Sequence, residues 1–208
     1  MEFERRNYGT NVFYSGLGWK VDHTSTGNHG DIVRFFETPL KGAFVIDIDP
    51  ISDERGYFAR TFCKKEFELY RLKNDFKQCN ISFNLRRGTI RGMHFQIPPY
   101  EETKLVSCIN GAIYDVIIDL RQDSDTYLQW YSVELNAENQ RMLYVPEGFA
   151  HGFQTLEDNT KVFYQMGEYF EQQSSSGVRW DDPVFGIEWP LPCEVISNKD
   201  QQFPGYKL

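Results

Sequence analysis

Two of the four histidines in this 208-residue chain lie in segments that could carry out acid–base chemistry. His94 lies in RGMHFQ and His151 in VPEGFAHGF, while His23 and His29 have the polar, glycine-flanked surroundings of solvated loops. Because an imidazole changes charge near neutral pH, a histidine that faces a cavity can take a proton from a substrate and return it. Taken alone, each central histidine could equally be a core residue with satisfied hydrogen bonds.

Metal binding is another use of histidines in a β-rich chain. The residue two positions after His94 is Gln96 rather than a second histidine, and two central histidines support a three-ligand site poorly. The four cysteines are irregularly spaced and form no CxxC pair, which predicts neither a zinc site nor a disulfide framework. We therefore expect no metal, and a cytoplasmic protein with reduced thiols.

The elements that must position these histidines are strands. From Leu40 onward, apolar and β-branched residues alternate with polar ones, and turn residues recur about every 8–12 positions. The pattern predicts one helix over residues 64–72 and strands over residues 43–51, 57–62, 76–84, 89–96, 104–109, 112–120, 127–136, 142–145, 152–156 and 160–170. Such short strands predict an all-β, double-sheet jelly roll.

Three local expectations accompany this fold. Asn110–Gly111 favours a type I′ hairpin between two strands, because both turn positions need a positive φ. Side chains alternate along a strand, so His94 is predicted to share a face with Gly92, and Arg91 to share the opposite face with Met93. Residues 1–38, rich in Gly, Asn, Thr and Tyr, are interpreted as an irregular N-terminal arm before a domain over 39–208.

Composition excludes several classes of function. The chain has 22 Lys and Arg against 30 Asp and Glu, a net charge of −8 and a pI near 5.1, which disfavours general nucleic-acid binding. No apolar run reaches the roughly 18 residues of a membrane span, and the N-terminus lacks the apolar core of a signal peptide. An anionic ligand would have to be held by a local cluster of Arg and Lys against the overall charge.

Six segments occur in order along the chain: SDERGYF, RGMHFQIPP, KLV, GAIYDVIIDLR, VELNAENQRMLYVPEGFAHGF and GVRWDDPVFGIEWP. Together they resemble the dTDP-4-dehydrorhamnose 3,5-epimerase family, a group of metal-free cupins, over about residues 39–200. The resemblance implies a cupin-type jelly roll with one or two short helices and a homodimer. It also implies a nucleotide-diphospho-4-keto-sugar substrate and no cofactor, since the ketone already acidifies the protons at C3 and C5.

The resemblance assigns four catalytic positions. Epimerisation needs a base on one face of the sugar ring, an acid on the other, and positive charge or hydrogen bonds near the ketone oxygen. His94 matches the family's base, and Asp200 matches the carboxylate that orients it. Tyr164, thirteen residues after His151, matches the acid, and Lys104 matches the lysine that stabilises the enolate.

The resemblance also implies substrate-binding positions. Arg91 is expected to contact the diphosphate and His151 to polarise the ketone oxygen. The other positions are Arg55, Phe58, Arg60, Gln78, Asn80 and Tyr169.

Several positions depart from the family pattern where the nucleotide should bind. Arg60 stands near a usual acidic residue, while Ser107 and Gln165 stand where basic residues are usual. These departures suggest a CDP- or GDP-linked substrate, or inversion of one centre instead of two. A 3,4-ketoisomerase and an inactive sugar-nucleotide-binding cupin are the remaining alternatives.

Overall fold

The structure is a computed structural model that describes residues 33–207. Its strands are β1 (Arg34–Glu37), β2 (Phe44–Asp47), β3 (Ile51–Asp53), β4 (Gly56–Phe58), β5 (Gln78–Asn84), β6 (Thr89–Gln96), β7 (Lys104–Asn110), β8 (Ala112–Asp119), β9 (Trp130–Asn136), β10 (Met142–Val145), β11 (Phe149–Thr155), β12 (Thr160–Met166), β13 (Ser175–Gly177) and β14 (Val195–Ile196). Its helices are α1 (Lys64–Leu69) and α2 (Asn198–Gln201). The predicted helix is confirmed as α1, although it ends at Leu69.

The strands form two large sheets and a small hairpin. Sheet I has the order β1-β2-β10-β7-β12-β5, and sheet II has the order β13-β6-β11-β8-β9 with β14 parallel to β6. The hairpin β3–β4 stands apart from both sheets. The predicted all-β, double-sheet jelly roll is confirmed.

The core lies between the sheets because each contributes one apolar face. Val106 and Val162 from sheet I meet Ile117 and Phe153 from sheet II, and all four are at most 1% exposed. A second cluster packs α1, through the fully buried Phe67, on the outer face of sheet I. Across residues 33–207, no helix has the length and apolar character to span a bilayer.

One sequence expectation at the end of a strand is wrong, and another lies largely outside the described residues. Asn110–Gly111 does not close a hairpin: β7 pairs with β10 and β12 in sheet I, whereas β8 pairs with β9 and β11 in sheet II. Gly111 has a positive φ of 76° but Asn110 does not, so the turn carries the chain between sheets. Residues 1–32 of the predicted arm lie outside the described residues, and β1 within its remainder pairs with β2.

A β-bulge in β6 changes which residues face the space between the sheets. His94 pairs with His151, but Arg91 pairs with Phe153, so three steps along β6 oppose two along β11. Arg91 and His94 therefore face the same side, while Met93 is buried on the outer face of sheet II. The prediction that Arg91 shares a face with Met93 is wrong, because simple alternation has no place for the extra residue.

Substituting Gly92 with alanine tests how tightly the bulge is packed. A Cβ at Gly92, whose φ is 135°, would lie 2.5 Å from the Cα of Gly152 and 3.1 Å from the carbonyl oxygen of His151. We expect Gly92→Ala to lower the free energy of unfolding by more than about 2 kcal/mol, measured by urea denaturation. Gly186→Ala is the control, because its φ is 62° and nothing lies within 4 Å of the new Cβ. An equal loss in both variants would contradict the packing explanation.

Candidate active site

A cavity of about 510 Å³ opens between the two sheets, and most of the residues that line it have polar side chains. Sheet I contributes residues from β5, β7 and β12, and sheet II contributes residues from β6 and β11. The predicted residues that line it are Gln78, Asn80, Arg91, His94, Lys104, His151 and Tyr164. The structure therefore brings together seven positions that are far apart in the sequence.

His94 is held by a carboxylate. Its Nε2 lies 2.7 Å from Oδ1 of Asp200, whose side chain is 5% exposed, while the imidazole itself is 39% exposed. If the carboxylate accepts the Nε2 proton, the neutral ring keeps its lone pair on Nδ1. This pairing gives His94 a fixed orientation and an unshared electron pair, which are the properties of a general base.

Asp200 is fixed by local structure on both sides. It lies in α2, where its backbone N–H donates to the Ser197 hydroxyl at the helix N-cap, and its Oδ2 accepts from the bulge N–H of Gly92 at 3.3 Å. Burial acts to raise the pKa of Asp200, but the hydrogen bonds and the charge of His94 outweigh it and hold that pKa below its usual value. The carboxylate is therefore ionised at neutral pH.

A second imidazole–carboxylate pair lies beside the first. His151 Nε2 lies 2.8 Å from Oδ1 of Asp115, a diagonal neighbour on β8, since His151 pairs directly with Ile117. Burial raises the pKa of Asp115, although His151 and Lys104 act against it. Among residues 33–207, Asp115 Oδ2 has no hydrogen-bond partner. The ring of His151 also meets that of Tyr164 edge-on, with centroids 6.2 Å apart.

Lys104 links the two sheets across the cavity. Its Nζ, on β7 of sheet I, donates to the backbone carbonyl of His94 at 3.1 Å and lies 3.1 Å from Oε1 of Glu102. The lysine is 5% exposed, so its charge is largely removed from water and balanced by Glu102. A cation held in this way can stabilise negative charge that develops on a substrate oxygen.

Tyr164 projects from β12 in sheet I, opposite the sheet that carries His94. Its hydroxyl lies 3.2 Å from Oγ of Ser82 on the neighbouring strand β5. Burial raises the pKa of this phenol, although Ser82 and Arg91 act to lower it. The phenol is therefore protonated at neutral pH and can donate to an acceptor in the cavity.

Arg91 completes the polar lining. Its Nε donates to Oδ1 of Asn84 at 2.6 Å and its Nη2 to the Phe83 carbonyl at 3.4 Å, so the bulged strand β6 is tied to β5. Lys199 also lines the cavity, and its Nζ donates to the Ser175 hydroxyl at 3.4 Å. These two cations can hold an anion despite the net charge of −8 on the chain.

Four predicted binding residues do not line this cavity. Arg55 and Phe58 lie on the β3–β4 hairpin, where the Arg55 side chain is 85% exposed and pairs with Asp53, and Phe58 is 71% exposed. Arg55 therefore lies outside the cavity of its own chain, because the hairpin stands apart from both sheets. Arg60 Nη1 lies 3.1 Å from Oε1 of Glu66, a residue in the first turn of α1.

Tyr169 lies at the edge of the cavity. Its neighbours Glu168 and Phe170 line the cavity, whereas its ring is exposed and lies 5.5 Å from the Nζ of Lys77. Ser107 and Gln165, two of the altered positions, are not among the lining residues.

Sequence reasoning missed several residues that hold the site. Asp115 is one, and its signal is a carboxylate inside the otherwise apolar run AIYDVII. Ser82 and Asn84 are two more, and their signal is the polar period of two along β5 that also includes Gln78 and Asn80. Glu102 and Lys199 carry no comparable signal, since charged residues beside turns are common.

The described residues offer no ligand set for a metal. Among residues 33–207, no group of three or more His, Cys, Asp or Glu side chains is placed to hold a metal ion. Both central histidines instead bond to carboxylates through Nε2.

Comparison with known proteins points to one family. The family described as dTDP-4-dehydrorhamnose 3,5-epimerase matches residues 37–207. A dTDP-4-dehydrorhamnose 3,5-epimerase of Methanothermobacter thermautotrophicus is 44% identical over 173 residues, which cover 82% of this chain and 92% of that protein.

Solved structures agree with this match. The dTDP-4-dehydrorhamnose 3,5-epimerase of Bacillus anthracis, with TDP and PPi bound, is 42% identical with a TM-score of 0.82, and the match covers 84% of this chain and all of that one (100%). ChmJ, a 3′-monoepimerase of Streptomyces bikiniensis in complex with dTDP-quinovose, is 28% identical with a TM-score of 0.74, and the match covers 81% and 85% of the two chains.

Replacing Asp200 with asparagine tests its ionised state in the fold. Because the folded state lowers the pKa of this group below 3.8, the carboxylate stabilises the fold above that pH and loses this effect as the pH falls through the folded pKa. We expect Asp200→Asn to be less stable than the parent at about pH 7 and the difference to shrink towards about pH 3, measured by urea denaturation. Asp123→Asn, at an exposed turn, controls for the loss of one charge. A difference that stays constant with pH would contradict the prediction.

Proposed function

This chain belongs to the dTDP-4-dehydrorhamnose 3,5-epimerase family, and from this premise we propose that its cavity binds a dTDP-linked 4-keto-6-deoxy sugar and inverts C3 and C5. The enzyme is an isomerase of the epimerase class. The observation that carries the assignment of roles is that a carboxylate-held imidazole and a partly buried phenol face one cavity from opposite sheets. This arrangement suits inversion, because a proton can leave one face of the ring and another can arrive on the opposite face.

His94 is the base in this proposal. Its Asp200 partner stabilises the imidazolium that forms when a proton leaves C3 or C5. The electron pair of the broken C–H bond moves into the ketone, and Lys104 is near the oxygen that becomes negative. His151, oriented by Asp115, hydrogen-bonds to the same oxygen.

Tyr164 is the acid. Its phenol proton passes to the carbon from the sheet I side, so the new C–H bond forms opposite the one that broke. Arg91 and Lys199 hold the diphosphate at the mouth of the cavity, where Gln78 and Asn80 add neutral donors. In this proposal Tyr169, at the edge of the cavity, stacks on the nucleobase of the substrate.

The altered positions give little support to a different nucleotide within one chain. Arg60 pairs with Glu66 outside the cavity, and Ser107 and Gln165 do not line it. The choice between one and two inverted centres rests on how the ring sits between His94 and Tyr164. ChmJ, a 3′-monoepimerase, shares the fold, so the fold itself does not decide this choice.

Proton exchange tests the function and the base together. We expect the enzyme, given dTDP-4-keto-6-deoxyglucose in deuterated water, to incorporate deuterium at C3 and C5 and to yield the doubly inverted product, followed by NMR. His94→Asn should lower the exchange rate at both carbons by at least about 10²-fold, because general-base catalysis contributes about that factor.

Alternative substrates and a control variant complete this experiment. CDP- and GDP-linked 4-keto sugars should react more slowly than the dTDP-linked one. His151→Asn should keep measurable exchange, since it alters the ketone contact and leaves the base in place. Absence of exchange in the parent enzyme would overturn the proposed function, and full exchange in His94→Asn would overturn the proposed base.

We propose further that the enzyme is a cytoplasmic homodimer and that the β3–β4 hairpin completes the site of the partner subunit. The hairpin exposes Ile51, Tyr57 and Phe58 by 48%, 57% and 71%, which is unusual for apolar side chains unless a second surface covers them. It also carries Arg55, a cation outside its own cavity. All four cysteines are free thiols, which fits the reducing cytoplasm.

The division of the chain stays a proposal as well. The family match over residues 37–207 supports one catalytic domain that starts near residue 39. Residues 1–38 are then an additional arm.

Mixing two inactive variants tests the exchange of hairpins. We expect Arg55→Ala/Phe58→Ala and His94→Asn each to be strongly impaired as homodimers. Randomly mixed subunits should recover about a quarter of the parent sites, because half of the dimers are mixed and each has one complete site. Activity is measured after unfolding and refolding the mixture, with separately refolded variants as the control. No recovery, with dimers present by sedimentation, would contradict the exchange.

A further inference from the structure

Behind Tyr164, a chain of hydrogen bonds joins three polar side chains that the proposed mechanism leaves without a role in proton transfer. Arg91 Nε donates to Oδ1 of Asn84 at 2.6 Å, Asn84 Nδ2 lies 3.4 Å from Oγ of Ser82, and Ser82 Oγ lies 3.2 Å from the hydroxyl of Tyr164. We propose that Ser82, oriented by Asn84, donates its hydroxyl proton to the oxygen of Tyr164 and stabilises the phenolate that remains after Tyr164 has protonated the substrate. This inference rests on the proposed function, in which Tyr164 is the acid.

The orientation of the Asn84 amide follows from its partners. A guanidinium has donors and no acceptor, so the amide atom 2.6 Å from Arg91 must be the oxygen. The amide nitrogen then points to Ser82 and also donates to the Thr160 carbonyl, an acceptor, at 3.2 Å. Asn84 is 2% exposed, so these contacts fix the amide in one orientation.

The orientation of the Ser82 hydroxyl follows in turn. Its oxygen accepts a hydrogen bond from Asn84, and the proposal assigns its single proton to the contact with Tyr164. An acid must aim its own proton at the substrate, so the phenol oxygen is free to accept from Ser82. Once the proton has left, a phenolate can only accept.

The electron balance shows when this donor matters. The O–H bond of Tyr164 breaks as the electron pair of the enolate forms the new C–H bond, which leaves the negative charge on the phenol oxygen. Burial raises the pKa of Tyr164, so that charge is costly without a donor, and Ser82 acts in the opposite direction. Before the next inversion the His94 imidazolium passes its proton to water and water returns a proton to the phenolate, so both groups recover their starting states.

The pairing of β5 with β12 fixes the positions of Ser82 and Asn84 relative to Tyr164. Ser82 and Asn84 lie two residues apart on β5, which pairs with β12 in register: Asn80 with Tyr164, Ser82 with Val162 and Asn84 with Thr160. Ser82 is thus the diagonal neighbour of Tyr164 across the two strands. Ser82 acts through Tyr164, so we treat it as a positioning residue.

Partitioning of the enolate tests the inference. In deuterated water, return of deuterium from His94 gives exchanged substrate with its configuration retained, whereas donation from Tyr164 gives inverted product. We expect Ser82→Ala to lower the inversion rate about ten- to a hundredfold, the value of a hydrogen bond to a charged group, and to lower exchange much less. The ratio of exchange to inversion, measured by NMR, therefore rises. Ser82→Thr keeps the hydroxyl and should restore the ratio.

A second variant tests the role of Asn84. Asn84→Asp keeps an oxygen acceptor for Arg91 but has no N–H to donate, so the Ser82 hydroxyl turns to the new carboxylate and away from Tyr164. The ratio of exchange to inversion should rise as in Ser82→Ala, while KM changes by less than about threefold because Arg91 stays in place. An unchanged ratio would overturn the orienting role of Asn84.

A matched control exists on the other sheet. Ser132 donates to the hydroxyl of Tyr114 at 2.6 Å between β9 and β8, outside the cavity, so Ser132→Ala should leave the ratio unchanged. Tyr164→Phe should raise the ratio further than Ser82→Ala. If Tyr164→Phe raises it and Ser82→Ala does not, the inference on Ser82 is overturned while the proposed function stands. If Tyr164→Phe leaves it unchanged, the proposed acid is overturned.

Discussion

The one extra residue in β6 is the constraint on which the arrangement of the cavity depends. It places Arg91 and His94, three residues apart, on the same side of the strand. It also turns the N–H of Gly92 towards Asp200, so the feature that aims the imidazole anchors the carboxylate that holds it. The Met93 side chain lies on the outer face of sheet II. The backbone N–H and carbonyl of Met93 form hydrogen bonds with the backbone of Val178. A regular strand would have sent either the cation or the imidazole outward.

Charge in the cavity is arranged by pairs. Asp200 and Asp115 each hold an imidazole, and Glu102 holds Lys104. A carboxylate removed from water is costly unless a partner compensates it, so each acid also fixes the position of its partner. The acidic composition of the chain is thus compatible with an anionic substrate. The cavity itself presents Arg91, Lys104 and Lys199 together with neutral hydrogen-bond donors.

The sequence predicts the strands better than their partners. Thr89–Gln96 and Met142–Val145 match their predicted bounds, because alternation is a local property. The assignment of strands to sheets is not local, and Asn110–Gly111 shows this, since its turn chemistry fits a hairpin that β7 and β8 do not form. The alternation of side chains does not predict the bulge in β6 either, and Gly92 is its only signal in the sequence of that strand. Positions that the resemblance assigns to the site and that lie on strands of the two large sheets meet in the cavity. Arg55 lies outside the cavity because it is carried by the separate β3–β4 hairpin.

The two-sheet architecture suits inversion for a geometric reason. A flat ring between two sheets shows one face to each, so a base on sheet II and an acid on sheet I reach opposite faces of the same carbon. A base and an acid on one strand would share a face and return the proton with retention. The two sheets are joined at the cavity by two hydrogen bonds, one from Lys104 Nζ to the His94 carbonyl and one from Arg91 to Asn84. Both contacts use residues beside His94 and Tyr164, so the side chains proposed to bind the substrate's charge also join the sheets that carry the proposed base and acid.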